Sequence, residues 1–572
     1  MKNKLTVVDF FCGAGGFSEG FHQQGFSIIW GIDKWEPAIS TYNHNYELNC
    51  ETNDILKLSQ DLEEIENIPN SDVIIGSPPC VSFSNSNKSG KADKSMGVML
   101  TEAFLRIVAI KKFQEGSILK AWYMENVPNS LKHLKKEYSF NDLDLSAWAK
   151  ECELNENSTA INLDGNSFIL NSANYGAAQS RNRVITGENI EMGYFECPTK
   201  THDYKIKAAN NLKPYISLNK IKKSIPNPFA KKSNQTISDP LYPRIEISQK
   251  ELTDHFYDSG LYECQWKNSK FMKRNHPFMG KMSFPENEHN PSRTITATNI
   301  GTSRESIIYK SEIERNGDGE FRAPTIREMA SIMGFPYTYQ FKANGINAKA
   351  RLVGNAVCVS VSRAIARQLR AELGLPRVIK KKIQIDARLK DIHNLNTYVT
   401  NTFDKPPTKK KGSRFRMHPF KDGNMTVTLS NYNISKKTKP NNKWYTSIQY
   451  GNGKGYPSNN YKDNYFKNLE NLIKTQNSGK AFIKIVNNGF SSKIAQSRLL
   501  QELYENHTNQ KKFMNPVSLI EEISFIIDRM KIEKFTFRQN EVIIFKHKDS
   551  VPLKQLFALY AINKLSSKAN EK

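Results

Sequence analysis

Four groups of residues in this sequence have types and spacings that can do chemistry. In "GSPPCVSFS", Gly76 to Ser84, Cys80 stands directly behind Pro78 and Pro79 and ahead of small polar residues. A buried structural cysteine has no need of a stiffened approach. A thiol that attacks must be aimed and partly ionised, its ordinary pKa being about 8.5. Glu125 ends the apolar run in "KAWYMENVP", which puts a carboxyl group at the end of a strand. "QSRNRV" carries Arg181 and Arg183 two residues apart, on one face of an extended segment; taken alone they are an ordinary surface pair. In "LTVVDFFCGAGGF", Gly13, Gly15 and Gly16 let the backbone approach a ligand closely, and Asp33, an acid at the end of the next strand, can bind ribose hydroxyls. The glycine spacing departs from GxGxxG, which favours an adenosine cofactor other than NAD; a structural tight turn would use the same glycines.

These groups need a frame, and the flanking patterns supply one. "LTVVDFF" is an apolar strand leading into the glycine turn, and "SEGFHQQGF" follows with Phe17 and Phe21 four apart on one helical face. "FSIIWGID", "SDVIIGSPPC" and "KAWYMENVP" are further strands that end in polar residues. Strands alternating with helices predict an α/β fold, a doubly wound, mostly parallel sheet with ligands beyond the carboxyl ends of its strands.

A chain of 572 residues, 38% hydrophobic and 10% aromatic, is sized for two to four packed domains. No run of eighteen apolar residues occurs, and Asp9 interrupts the apolar N-terminal stretch, so a soluble cytoplasmic protein without membrane contact is expected. Cys12, Cys50, Cys80, Cys152, Cys197, Cys264 and Cys358 are scattered, odd in number and form no CxxC pair, which suggests neither a disulfide framework nor a metal site. The net charge of +25 is unevenly placed: 45 Lys and Arg against 42 Asp and Glu through residue 376, then 37 against 15 to the end. A lysine-rich surface kept for solubility would also raise the charge, but an excess of +22 in the last third points to a polyanionic partner, nucleic acid.

The order of the motifs carries a resemblance. "DFFCGAGGFSEGF", "GSPPCVSFS", "MENVP", "AAQSRNRV", "RTIT" and "RLVGNAVCVS" follow one another as in the DNA (cytosine-5) methyltransferases, over about residues 5 to 373. The resemblance implies a Rossmann-like enzyme that transfers a methyl group from S-adenosyl-L-methionine to carbon 5 of cytosine in double-stranded DNA. Carbon 5 is a poor nucleophile until a thiolate adds to carbon 6, the role implied for Cys80. Glu125 would meet ring nitrogen 3 through a proton that it carries, with Asn126 holding the local backbone. Arg183 would contact the cytosine and Arg181 would support the thiol region. The cofactor contacts implied are Phe11, Gly13, Ala14, Gly15, Gly16, Asp33, Lys34, Asp54, Ile55, Pro78 and Asn355.

The sequence departs from the family at Asp33, where glutamate is more usual, at Val81 and Leu352, where glutamine is common, and at Cys358, where proline is typical; none of these removes a bond-making group.

The target base must be flipped out of its duplex. "VSFSNSNKSGKADKSMGVM" has the composition of a loop that closes over DNA, with Ser84, Ser86 and Lys88 on phosphate, or of a plain connector. Residues 1–186 are read as the catalytic and cofactor domain, 187–291 as the target-recognition domain, and 292–376 as the return to the catalytic domain, with Arg293 and Thr294 organising the recognition domain at the DNA. Residues 377–414 read as a basic linker. Residues 415–572 read as an accessory α+β domain that binds DNA, with "NKWYTSIQYGNGKGY" a hairpin, "NPVSLIEEISFIIDRMKIEKF" an amphipathic helix and "NEVIIFKHK" a strand. A fused nuclease would need an acid cluster that this tail does not display.

The role expected is that of the modification enzyme of a restriction-modification system. It would work as a monomer, beside a cognate endonuclease that it does not stably bind. A tRNA cytosine-5 methyltransferase is the enzyme alternative, and a catalytically dead DNA-binding regulator is the non-enzyme one; the presence of Cys80, Glu125, Arg181 and Arg183 argues against the latter.

Overall fold

The structure is a computed structural model and describes residues 4–79, 94–204, 211–275, 282–297, 303–378, 388–390, 392, 417–422, 425–432, 443–450, 458–460, 463–506, 508–530, 532, 536–538 and 550–571. The chain divides into two compact units, with the break between Pro406 and Pro407.

The first unit is built on six strands: β1 (Thr6–Phe10), β2 (Ser27–Ile32), β3 (Val73–Gly76), β4 (Ala121–Asn126), β5 (Ser167–Asn171) and β6 (Asn182–Asn189), in the order β2-β1-β3-β4-β6-β5. The first four are mutually parallel, and β6 and β5 close the far edge antiparallel. The strands predicted at "FSIIWGID", "SDVIIGSPPC" and "KAWYMENVP" are therefore present.

Helices cover both faces, which is why β3 and β4 are buried along their whole length. Side chains of period two divide between the faces. Val7, Ile75 and Tyr123 join a core with Phe17 and Phe21 of α1 (Gly16–Gln23), while Val8, Ile74 and Trp122 join one with Phe104 and Val108 of α3 (Lys94–Phe113). Between these two helices in sequence lies α2 (Glu36–Tyr46), whose Tyr42 belongs to the α1 face. The chain returns to that face late, through α4 (Ile326–Met333), α5 (Ile346–Asn355) and α6 (Val359–Glu372). The segment "APTIREMASIMGFP" starts α4 with a capping box, Thr325 and Glu328 each accepting from the other's backbone N–H.

Between β6 and α4 the described residues are irregular, with the helices Leu218–Ser224 and Glu263–Arg274 and three two-stranded pairs. β6 runs through Gly187 to Asn189, so the expected boundary at residue 187 falls inside the sheet. This region is held by small apolar clusters and by buried ion pairs. Arg322 bridges Glu312 and Glu328, and Lys349 meets Asp254 at 2.6 Å with both side chains fully buried. Removing one partner of such a pair leaves a buried charge uncompensated.

The second unit has its own core. Strands Met417–Asp422, Met425–Ser430, Tyr445–Tyr450 and Ser458–Asn460 form an antiparallel meander. Its core joins Val427, Leu429 and Ile448 of the sheet to Leu556, Phe557 and Ile562 of the helix Leu553–Asn570. The predicted helix is present as Pro516–Arg529, and "NKWYTSIQY" supplies the third strand of the meander. The strand predicted at "NEVIIFKHK" and the Gly-Asn-Gly turn lie outside the described residues. Among the described residues no helix is long and apolar enough to cross a membrane.

A Cβ on Gly16 would lie 2.2 Å from the Val357 carbonyl oxygen, and one on Gly20 would lie 2.3 Å from the Arg363 backbone nitrogen. Glycine costs α1 up to about 1 kcal/mol in helix propensity at each position, and the close seating on α6 requires it. Gly20→Ala is expected to lose about 1–3 kcal/mol through overpacking against an immovable backbone atom. Thermal unfolding would show this as a lowered Tm; an unchanged or higher Tm would mean that propensity outweighs packing.

Asp9, in mid-β1, is fully buried and accepts from the Ser18 hydroxyl at 2.7 Å. Burial, aided by the Asp33 charge and opposed by the Ser18 hydrogen bond, pushes its pKa up from 3.8 to about 8. Between those values the folded chain holds a proton that the unfolded chain has lost, so Asp9 makes stability fall as pH rises through that window. Asp9→Asn is expected to remove a slope of at most about 1.4 kcal/mol per pH unit. Denaturant unfolding of both proteins at pH 5 and pH 8 checks it, and parallel pH dependences would contradict it.

Candidate active site

Parallel strands bring their carboxyl ends to one edge, and the predicted residues gather there. β1 runs into the turn Phe11–Gly15, in which Phe11, Gly13 and Gly15 have φ of 54°, 52° and 78°. The turn is pinned from several sides. The Gly13 amide donates to Asp33 Oδ2 at 3.1 Å, the Trp35 amide donates to Asp33 Oδ1 at 2.9 Å, and Ser77 Oγ donates to the Phe11 carbonyl at 3.0 Å. Tyr339 donates to the Ala14 carbonyl at 2.5 Å and Tyr46 to the Gly15 carbonyl at 3.0 Å. Burial pushes the Asp33 carboxyl up, against the pull of those two amides and of Lys34 and Arg351.

The chain after α2 returns to the end of β2. Thr52 bridges Asp33, the Asn53 amide donates to the Asp33 carbonyl at 3.3 Å, and Asp54 caps the helix Ile55–Leu58 through the Leu56 amide at 3.0 Å. Asp54 is half-buried and Ile55 buried beside it. These residues fit an adenosine-bearing ligand. A Cβ at Gly13 would meet nothing nearer than the Phe11 carbonyl oxygen at 3.9 Å, so the crest of the turn is open, and a pinned carboxylate and an apolar residue flank it. Lys34 and Asn355 are exposed, the latter at the end of α5.

At the end of β3, the Ser77 amide donates to the Phe10 carbonyl at 3.1 Å. Pro78 is buried and Pro79 exposed, so the chain leaves the glycine turn through the two prolines. Cys80 and the neighbouring Val81, Ser84, Ser86 and Lys88 lie outside the described residues.

At the end of β4, Glu125 is buried, with Oε1 3.0 Å from Arg183 Nε. Among the described residues no donor meets that oxygen in hydrogen-bond geometry, so the contact is an ion pair rather than an aligned bond. Asn126 accepts from the Val127 amide at 2.8 Å, while its buried Nδ2 has no partner among the described residues. Because β6 runs against β4, its first residues lie at the carboxyl edge, which is what puts "QSRNRV" beside "MENVP". Arg181 is buried and donates to the carbonyls of Ile295 at 3.0 Å, Gly354 at 3.3 Å and Ala356 at 3.4 Å. It thereby ties "RTIT" and "GNAV" to the sheet. Arg293 is committed to a bidentate pair with Glu286 at 2.6 and 2.9 Å, and Thr294 reaches the Ser180 carbonyl at 3.5 Å. Cys358, at the proline position, is the buried N-cap of α6.

Sequence reasoning missed Ser77, Tyr46, Tyr339 and Glu19, all packed on or behind the glycine turn, and Arg388, from the stretch read as a linker. Glu19 lies two residues from each of Phe17 and Phe21, on the other side of α1, so the apolar face gave no sign that it is buried. Arg388 carries no local signal.

The model for the C-5 cytosine-specific DNA methylase family matches residues 5–371. Type II methyltransferase M.MthTI of Methanothermobacter thermautotrophicus is 26% identical over 382 residues, covering 64% of this chain and 98% of its own length. Type II methyltransferase M.HgiGI of Herpetosiphon aurantiacus is 37% identical over 125 residues, covering 22% of this chain and 90% of its own. The solved Entamoeba histolytica methyltransferase EhMeth aligns with a TM-score of 0.39 at 15% identity, over 65% of this chain and 99% of that one. With the glycine turn, Asp33, Glu125, both arginines and Asn355 all inside the matched span, the chain belongs to the C-5 cytosine-specific DNA methylase family, whose methyl donor is S-adenosyl-L-methionine.

Proposed function

We propose that the protein methylates carbon 5 of a cytosine within a specific double-stranded DNA sequence, as the modification partner of a restriction endonuclease. The Glu125–Arg183 ion pair supports this reading most, because it sets an acid and a cation at the edge where the glycine turn and the Pro78-Pro79 exit also lie. The relatives' names, Type II methyltransferases, support the modification role. Bound S-adenosyl-L-methionine supplies a methyl group on positively charged sulfur, held by Phe11 to Gly16, Asp33, Lys34, Asp54, Ile55, Pro78 and Asn355.

The chain's own residues then act on a flipped cytosine. The Cys80 thiolate forms a bond to carbon 6, and the electron pair of the ring double bond moves to carbon 5. Glu125 carries the proton that hydrogen-bonds nitrogen 3 and absorbs the charge building there. Arg183, released from its pair with Glu125 once that acid carries the proton, holds the base carbonyl, and Arg181 braces the surrounding backbone. Carbon 5 would take the methyl group on that electron pair, the sulfur keeping the pair of the bond that breaks; loss of the carbon 5 proton to a base then restores the double bond and expels Cys80 as thiolate. Ser84, Ser86 and Lys88 contact phosphate, residues 190–291 read the target around Arg293 and Thr294, and the basic residues 415–572 add DNA affinity.

Bisulfite sequencing of plasmid DNA from cells expressing the protein is expected to reveal methylated cytosine in one sequence context. Cys80→Ala should abolish it, and Glu125→Gln should slow methyl transfer about 10²–10⁴-fold. A Cys80-dependent adduct on 5-fluorocytosine DNA is expected. Its absence, or transfer to tRNA rather than DNA, would overturn the reading.

Removing residues 407–572, which have a core of their own, should weaken DNA binding and flatten its salt dependence without changing the methylated sequence. Magnesium-dependent cleavage of unmethylated DNA by the full chain, lost on that truncation, would instead make the second unit a nuclease.

A further inference from the structure

Glu19 sits on α1 four residues past Gly15, and its carboxylate is wholly buried. Its charge is met from outside the family match, which ends at residue 371. Arg388 grips it with both arms of the guanidinium, Nη2 to Oε2 at 2.7 Å and Nη1 to Oε1 at 3.2 Å. The same guanidinium donates from Nε to the Asn45 carbonyl at 3.2 Å and lies 3.1 Å from His22 Nδ1. The Arg388 carbonyl meets His44 Nε2 at 3.0 Å, and Leu389 packs on the cluster of Tyr242 and Ile245. Burial alone would push the Glu19 carboxyl up; Arg388, with help from His22, overrides it and holds the pKa down at about 2.

The pair is stacked against the cofactor turn. The guanidinium lies 5.0 Å from the Tyr339 ring centre and 5.7 Å from that of Tyr46, and these two tyrosines hold the Ala14 and Gly15 carbonyls. Tyr46 also reaches Glu19 Oε2 at 3.4 Å. One continuous set of contacts thus runs from Arg388, through Glu19, Tyr46 and Tyr339, to Gly15 and Ala14.

We infer that Arg388 is a positioning residue for S-adenosyl-L-methionine binding: the segment beyond the family's common span locks the glycine turn from behind and completes the cofactor site. The inference rests on the assignment of that turn to the cofactor. Without Arg388, Glu19 is a buried carboxylate short of its main cation, and relief comes by taking up a proton or by movement of the tyrosines that hold the turn.

The test is calorimetric binding of S-adenosylhomocysteine to the full-length chain and to Arg388→Met, Arg388→Lys and Glu19→Gln/Arg388→Met, with Tm and the KM values for cofactor and DNA measured alongside. Arg388→Met is expected to raise Kd and the cofactor KM at least tenfold and leave the DNA KM in place. Arg388→Lys should recover only part of the loss, since an ammonium cannot match the two-armed grip. The double variant should bind better than Arg388→Met, because the stranded charge is gone. If Arg388→Met lowers Tm but binds S-adenosylhomocysteine like the parent, Arg388 is a structural brace only and the inference fails. Should Arg388→Met not fold, parent-like binding by Arg388→Lys together with the double variant would overturn it equally. A parent chain that does not bind S-adenosylhomocysteine would remove the cofactor assignment and the inference with it.

Discussion

The hydrogen bond from the Gly13 amide to the Asp33 carboxylate joins the ends of two neighbouring parallel strands at 3.1 Å, and most of the site is arranged around the turn it fixes. Ser77 ties the end of β3 to the same turn through the Phe11 carbonyl. Three strand ends therefore share one reference point, and whatever follows Ser77 starts from a fixed place. A carboxylate engaged by two backbone amides cannot swing away, so a ligand that contacts its remaining lone pairs meets a group whose orientation is already set.

The antiparallel turn of the sheet at its far edge solves a second problem of position. A fifth parallel strand would have brought only its own carboxyl end to this edge. β6, running the other way, brings the start of a strand there, and with it Arg183 against Glu125 and Arg181 among the carbonyls of residues 295, 354 and 356. One short segment thereby contacts the acid and also braces the two late motifs that return to the sheet.

The residues that the sequence revealed are those whose neighbours along the chain carry the signal. Apolar runs ending in polar residues marked β1 to β4, and the glycines marked the turn, because strand period and positive φ are local properties. The direction of β6 was not legible: "NRVITGEN" reads the same whichever way its partner runs. Nor was Arg388, which sits amid "KKKIQIDARLK" with the composition of a linker and is buried only because Glu19, 369 residues away in the chain, needs a cation. Arg293 was read at the DNA, and its guanidinium is taken up by Glu286, a partner whose nearness depends on a fold of the chain that composition does not encode. Asp9 was legible only as an interruption of an apolar run; that its pKa is pushed up follows from the α1 layer closing over it.

The seating of α1 on α6 also bears on how the chain acquires this structure. Gly16 and Gly20 fit against the backbone of residues 357 to 363, so the first helix of the protein is covered by the last helix of the same unit. At roughly 5–20 residues per second, a ribosome needs on the order of tens of seconds to make the intervening chain. For that time the Gly16 and Gly20 side of α1 lacks its partner, and the loop to be closed is nearly the whole unit, which places its final assembly late and makes it slow. A nascent chain of this kind carries that uncovered side throughout the synthesis of the unit, the interval in which association with other chains competes with folding.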